Sequence, residues 1–361
     1  MNGLWIRSRV LLSLLALGVG AVLASTPASA SEQVVLGDVI AASTSPALPS
    51  ELAEWPLLFQ GGVAELSNTG REVLYLYLPD EPGALSRLRI ASLVTGDILV
   101  HSVLPPEAYP HAGRGAFSPD GEWIATGSAA EGSPARNGIA PWVVRRDGTG
   151  LRRLRDDGYD YTGPSWSPDG RRIAFLRTLV ERAPPDEPGG ETQLVEEAAA
   201  ILDVATGGVL SVYEGLVAPR FSPDGGRLLA LQNSCLVTVD LTTGDRNVVW
   251  DPKVSVPPGN PSWQLGSFAW VSDSARVLFT AAYWTGEPPD DRLVREVHEV
   301  NVQDGQTRKV ATGRLAAAGA NGRWFILDYR TSEQTRARRE AGQPLLQPDD
   351  VALLSVLSIR P

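Results

Sequence analysis

The chain has 361 residues, a formal net charge of −10, three histidines and one cysteine. The acidic balance excludes a nucleic-acid ligand, whose phosphates require clustered Lys and Arg. A lone cysteine excludes an internal disulfide. Because Cys235 falls in the apolar alternation CLVTVDL, a buried, inert thiol is expected there.

The first element in chain order is a leader. Arg7 and Arg9 precede an apolar run from Val10 to Ala24, and Ala28-Ser29-Ala30 follows, which is the layout of a secretory signal with an A-x-A cleavage site. The run is about fifteen residues, short of the roughly twenty that span a bilayer. Residues 1–30 are therefore expected to be removed. Their loss takes Arg7 and Arg9 and no carboxylate, so two positive charges go and −10 becomes −12. Residues 31–361 are expected to form one domain without a transmembrane segment, exported to the periplasm or the extracellular medium, free or associated with the cell envelope.

After a strand-like segment, Glu32 to Ile40, the chain repeats itself. Phe117-Ser118-Pro119-Asp120-Gly121, Trp166-Ser167-Pro168-Asp169-Gly170 and Phe221-Ser222-Pro223-Asp224-Gly225 agree in all but the aromatic. Fainter copies are Leu66-Ser67-Asn68-Thr69-Gly70, Trp270-Val271-Ser272-Asp273-Ser274 and a worn sixth at Asn321-Gly322, and the steps between the last positions are 51, 49, 55, 49 and 48. Each copy precedes a short run of strand formers: VLYLYL, WIATG, RIAFL, LLALQ, VLFTA and WFILDY. Ser-Pro-Asp-Gly is turn chemistry, with Pro presetting φ and Gly accepting a left-handed exit. A second turn follows in most units, at Thr95-Gly96, Asp147-Gly148, Thr206-Gly207, Thr243-Gly244 and Asp304-Gly305. Each unit thus reads as four antiparallel strands, A to D.

Four-stranded units repeated at this spacing specify an all-β fold, a β-propeller of six blades, in which each sheet buries its faces against its neighbours. The aromatics Phe117, Trp166, Phe221 and Trp270 are expected to wedge between adjacent sheets. The sixth unit has A, B and C strands, the last within VALLSVLSI, but no D strand. The segment from Gln33 to Ile40 is expected to supply it and close the ring, which removes two exposed edges.

The recurring [FW]-S-P-D-G turn, followed by [RKEG]-x-[ILV] and an apolar run, resembles the WD40-like (PD40) repeat of the TolB β-propeller domain and of the prolyl oligopeptidase propellers. The resemblance covers residues 31–361 and implies a scaffold. It carries over no binding residues. TolB proteins have an extra N-terminal α/β domain, which is not expected here because only about twenty-five residues separate the leader from the first unit, and the oligopeptidases have a hydrolase domain whose G-x-S-x-G motif does not occur in this sequence.

In such a sheet the A–B and C–D turns lie at one end and the B–C and D–A connections at the other. The second end collects the long segments: 178–200, 283–299 and 331–344, the last expected to be a short helix between Ser332 and Gly342. Connections of that length are usually either functional or disordered. With the D–A segment RDDGYDYTGP, this face offers Asp156, Asp157, Tyr159, Asp160, Tyr161, Asp186, Glu187, Glu196, Trp284, Asp290, Asp291, Arg336 and Arg339, with Trp142 near the rim. Carboxylates steer encounter while aromatics and arginine anchor it. The face therefore suits a protein, peptide or cell-envelope partner. The turn carboxylates Asp120, Asp169 and Asp224 are expected to hold backbone N–H groups, because catalysis needs a group once and a turn needs it in every blade.

The chemical alternative is a metal-dependent hydrolase or lyase, lactonase-like, with its site at the mouth of the central channel. His101, His111 and His298 are the only histidines, and they form no H-E-x-x-H. Calcium at Asp156, Asp157 and Asp160 is one cofactor alternative, though D-D-G-Y-D lacks EF-hand spacing, and a single metal shared by His101 and His111, which flank SVLPPEAYP, is another. Lys253 and Lys309, the only lysines, follow no glycine-rich loop, so no phosphate-cradling motif is present. The reading favoured by the residues is a non-enzymatic binding module with no catalytic residue, no metal and no cofactor.

Overall fold

The computed structural model describes residues 35–36, 64–67, 72–77, 87–92, 98–104, 115–129, 138–181, 193–255, 264–285, 292–312, 314–318, 323–328 and 353–358. The leader at residues 1–30 and the helix expected at 331–344 lie outside them.

These residues form an all-β propeller of four-stranded antiparallel blades. After β1 (Val35–Leu36), the strands come in groups of four. The first is β2 (Ala64–Leu66), β3 (Glu72–Tyr77), β4 (Arg87–Ser92) and β5 (Ile98–Val100). The second is β6 (Gly115–Phe117), β7 (Trp123–Ala129), β8 (Ile139–Arg145) and β9 (Arg152–Arg153). The third is β10 (Asp160–Trp166), β11 (Arg172–Glu181), β12 (Gln193–Asp203) and β13 (Val209–Glu214). The fourth is β14 (Val217–Phe221), β15 (Arg227–Gln232), β16 (Cys235–Asp240) and β17 (Arg246–Trp250), and the fifth is β18 (Gln264–Trp270), β19 (Arg276–Thr285), β20 (Arg292–Asn301) and β21 (Thr307–Thr312). Last come β22 (Arg314–Ala318), β23 (Arg323–Asp328) and β24 (Leu353–Ser358).

The strands hydrogen-bond as five sheets, where the repeats lead one to expect six. Groups two to five are each a sheet in chain order. The remaining strands make one eight-stranded sheet ordered β1-β24-β23-β22-β2-β3-β4-β5. The merger has a local cause: β2 and β22 run parallel and share the pairs Ala64↔Ala317 and Glu65↔Ala318. At the far edge β1 lies antiparallel to β24, with Val35 opposite Ser358 and Leu36 opposite Leu357.

The Ser-Pro-Asp-Gly stretches are A–B turns with one bonding pattern. The hydroxyls of Ser118, Ser167 and Ser222 each donate to the Asp two residues on at 2.5 Å. Each also accepts the N–H five residues on, from Trp123, Arg172 and Arg227, at 2.9 Å. The same Asp carboxylates accept the N–H groups of Glu122, Arg171 and Gly226 at 3.0 Å. Gly121, Gly170 and Gly225 have φ of 75°, 69° and 73°, the left-handed region where a Cβ is costly. The turn aspartates are thus held by structure.

The core lies between sheets. One cluster joins Leu74, Leu88 and Ile90 of the first group to Phe117, Ile124 and Val144 of the second. The next joins Ala125 and Val143 to Ile173 and Phe175, with Trp166 packed against it. Phe221 completes the third with Ala174 and Ile201, and Trp270 the fourth with Leu229 and Trp250. Each aromatic wedges against the preceding sheet, and the two indoles also donate backward, Trp166 Nε1 to the Ala116 carbonyl at 3.0 Å and Trp270 Nε1 to that of Arg220 at 3.1 Å.

The arginines after the turns reach forward. The Arg172 guanidinium stands 5.3 Å over the Phe221 ring, and that of Arg227 5.4 Å over Trp270 while donating to the Ser274 carbonyl at 2.5 Å. The turn and its arginine therefore fasten one sheet to the next.

Cys235 departs from expectation. It is partly exposed, at the shoulder of a hairpin whose turn residues Asn233 and Ser234 have φ of 51° and 68°. The apolar alternation that follows it is buried, but the tight turn holds the first residue of β16 out of the core.

Candidate functional site

In the third sheet the D–A connection, residues 154–159, and the ends of β11 and β12 come together, so side chains distant in sequence share one end of the sheet. Register places Tyr161 opposite Arg177 and Leu179 opposite Glu196. Two adjoining groups of three side chains result. Arg155 Nε and the Tyr161 hydroxyl both donate to Asp157 Oδ2, the latter at 3.0 Å. Tyr159 OH donates to Glu196 Oε2 at 3.1 Å, and Arg177 donates to Glu196 Oε1. The Arg177 guanidinium stacks 3.9 Å from the centre of the Tyr159 ring.

The electrostatics follow from burial and pairing. Burial and the Asp157 carboxylate push the Tyr161 phenol far above its usual range. Burial and the bond to Glu196 raise Tyr159 as well. Both phenols stay protonated as donors. Burial works against the charge of Arg177, but the Glu196 carboxylate outweighs it. The bond to Asp157 raises Arg155 likewise. Asp157 Oδ1 and Arg177 Nε are enclosed without a hydrogen-bond partner among the described residues.

The residues expected at this face do not share one placement. Asp156, Asp157 and Tyr159 reach the surface in whole or part, Asp156 paired with Arg153 at 2.7 Å. Asp160 and Tyr161 are turned inward: Asp160 is buried and accepts the Ile139 N–H at 3.0 Å, and Tyr161 packs edge-on to Phe175. Trp284 stands in β19 opposite Leu293. Asp186, Glu187, Asp290, Asp291, Arg336 and Arg339 lie outside the described residues. Trp142 donates through Nε1 to the Ser128 carbonyl at 3.2 Å, with Arg153 over its ring. No local motif marks Arg155 and Arg177, because their partners are set by strand register across the sheet.

Two further groups bear on chemistry. In the fifth sheet Glu296 accepts from Tyr283, His298 and Lys309 at 3.3, 3.0 and 2.6 Å. On β2, Glu65 accepts the Phe117 N–H of the next sheet at 3.2 Å. Among the described residues no three His, Cys, Asp or Glu side chains are grouped to hold a metal ion. His101 is exposed, and its carbonyl accepts from Arg89 at 3.2 Å. No helix among the described residues is long and apolar enough to cross a membrane.

No protein-family model matches this chain, and no curated protein does. Solved structures do. Putative TolB from Agrobacterium tumefaciens is 14% identical, with 82% of this chain and 89% of that chain covered and a TM-score of 0.46. TolB from Acinetobacter baumannii is 14% identical over 73% of this chain and 59% of that one, at 0.46. A puromycin-hydrolyzing peptidase from Mycobacterium tuberculosis is 13% identical over 78% and 45%, at 0.48.

Proposed function

We propose that the protein is an exported, non-enzymatic binding module: a six-bladed, TolB-like propeller whose B–C and D–A face takes a protein, peptide or cell-envelope partner. The observation that carries this reading is the Arg155–Asp157–Tyr161 and Tyr159–Arg177–Glu196 network. It belongs to no repeat, whereas the Ser-Asp turns at the opposite end recur with one geometry. A stacked guanidinium and phenol beside carboxylates is the composition of interface anchors.

Six blades are supported by the shortness of the parallel β2–β22 contact, two residue pairs that join the runs β22-β23-β24-β1 and β2-β3-β4-β5 into the eight-stranded sheet. Closure of the ring by the N-terminal strand is supported by the β1–β24 pairing. Export is supported by the basic, apolar and Ala-Ser-Ala pattern of residues 1–30. The proposed partner-facing set comprises Asp156, Asp157 and Tyr159 with Arg177 and Glu196, and extends to Asp186, Glu187, Asp290, Asp291, Arg336 and Arg339.

The test is affinity capture from envelope extracts on immobilised protein. The wild type and the turn-end variant Asp169→Ala are expected to retain the same partner, and Tyr159→Ala with Arg177→Ala to lose it while keeping a native circular dichroism spectrum. Equal capture by the double variant overturns the assignment of the face.

A further inference from the structure

The outermost strands differ in one respect. β9 exposes Arg152 and Arg153, β17 exposes Arg246, and β21 exposes Arg308 and Lys309, while β5 is only three residues long. Basic side chains and shortness are both common devices against unwanted pairing at an edge. β13, VLSVYE, has neither, and its exposed positions are Leu210 at 57%, Val212 at 37% and Glu214. The exposed positions follow the two-residue alternation of the strand, and the pairing bulges at Leu210: β12 pairs Ile201 with Ser211 and Leu202 with Val209, so Leu210 has no opposite residue. Past the Glu214 end, the overhang of β12 exposes Leu194 and Val195. Four of the six exposed large hydrophobic side chains among the described residues therefore belong to two neighbouring strands of one sheet.

The charges select the occupant. Glu214 and Glu197 are both exposed at that end, and Arg246 from the next sheet donates to the Glu214 carbonyl, at 3.2 Å, with no bond to its carboxylate among the described residues. A second copy of β13 would bring only another Glu to this edge. We propose that the open edge of β13 takes an extended polypeptide strand of a partner, apolar at alternate positions and flanked by Lys or Arg, as a fifth strand of the third sheet. Main-chain bonds along the edge supply affinity, Leu210 and Val212 supply the apolar contact, and the two carboxylates supply the choice of a basic partner. The inference rests on the binding-module reading and specifies the partner for the same sheet.

The experiment uses the purified protein and a fluorescein-labelled peptide of alternating Thr and Val with Arg at both ends, followed by fluorescence anisotropy. The wild type is expected to bind saturably, Leu210→Lys with Val212→Lys about tenfold or more weakly, and the same peptide ended by Glu not measurably. Both substituted positions are exposed, so the fold is retained. Equal binding by the Lys variant, equal binding of the Glu-ended peptide, or sedimentation of the wild type as a dimer that the Lys variant abolishes overturns the proposal. Capture of the envelope partner separates the two readings: if Arg177→Ala loses it and the Lys variant keeps it, the edge proposal falls and the loop-face reading stands.

Discussion

Replacing Glu65 by Gln should make the protein more stable in neutral and alkaline solution and leave it unchanged in acid. Glu65 keeps part of its surface, but its carboxyl is enclosed where β2 meets β22 and the second sheet. Burial raises its pKa from 4.5 to about 8, against the opposing pull of Arg220 and the Phe117 N–H. Between those values the folded state holds a proton that the unfolded chain has released, so stability falls as pH rises through that window. At about 1.36 kcal/mol per decade, the full gap is worth at most ~5 kcal/mol. Water reaching the exposed part of the side chain reduces this to roughly 2–3 kcal/mol. Gln keeps the oxygen that accepts the Phe117 N–H and cannot ionise. Urea denaturation of both proteins at pH 4, 7 and 9 isolates the group, because every other titration cancels in the difference. The Gln variant should match the wild type in acid and exceed it by that amount in alkali. A difference that stays constant with pH, or a Gln variant that loses stability relative to the wild type as pH rises, would refute the burial argument.

The remaining expectations concern the fold. Phe221→Ala empties the wedge between the third and fourth sheets and should cost about 3–5 kcal/mol in denaturant unfolding; a loss below ~1 kcal/mol would contradict its place in that core. Gly207 has φ of 70°, and a Cβ there would come within 1.9 Å of the Leu154 carbonyl oxygen. Gly207→Ala should therefore lower stability by roughly 2–3 kcal/mol, read as a fall in melting temperature. Asp120, Asp169 and Asp224 are held below their usual 3.8, the first two chiefly by the hydroxyls of Ser118 and Ser167; at Asp224 burial opposes the shift, and Ser222 with the Gly226 N–H outweighs it. Their contribution is present above that value and lost as pH falls through the lowered one. The triple Asp→Asn variant should thus unfold with less acid dependence below pH ~4, checked by acid titration of circular dichroism.

The parts legible in the sequence were those with local causes. Ser167, Pro168, Asp169 and Gly170 dictate a turn from their own side chains and φ preferences, and the turn recurs often enough to set the strand period. Phe117, Trp166, Phe221 and Trp270 recur one residue ahead of it, which placed the wedges. Glu32 to Ile40 stood out as a strand without a unit, and its Val35 and Leu36 lie beside β24. The grouping into five sheets was not legible, because the β2–β22 contact depends on how closely the inner strands approach. Nor was the inward turn of Asp160 and Tyr161: Asp160 is claimed by the Ile139 N–H of the second sheet, 21 residues away. Arg177 reads in sequence as an ordinary charge at the end of a strand, and only register brings it over Tyr159 and onto Glu196.

The central claim is that a partner meets the end of the propeller holding the third-sheet network and leaves the Ser-Pro-Asp-Gly end free. Its most direct test places a photo-crosslinking amino acid at Asp156, on the network end, or at Asp224, on the turn end, both exposed. Irradiation in intact envelopes should give a discrete crosslinked species from position 156 and none from position 224. The same species from both, or from 224 alone, would contradict the account.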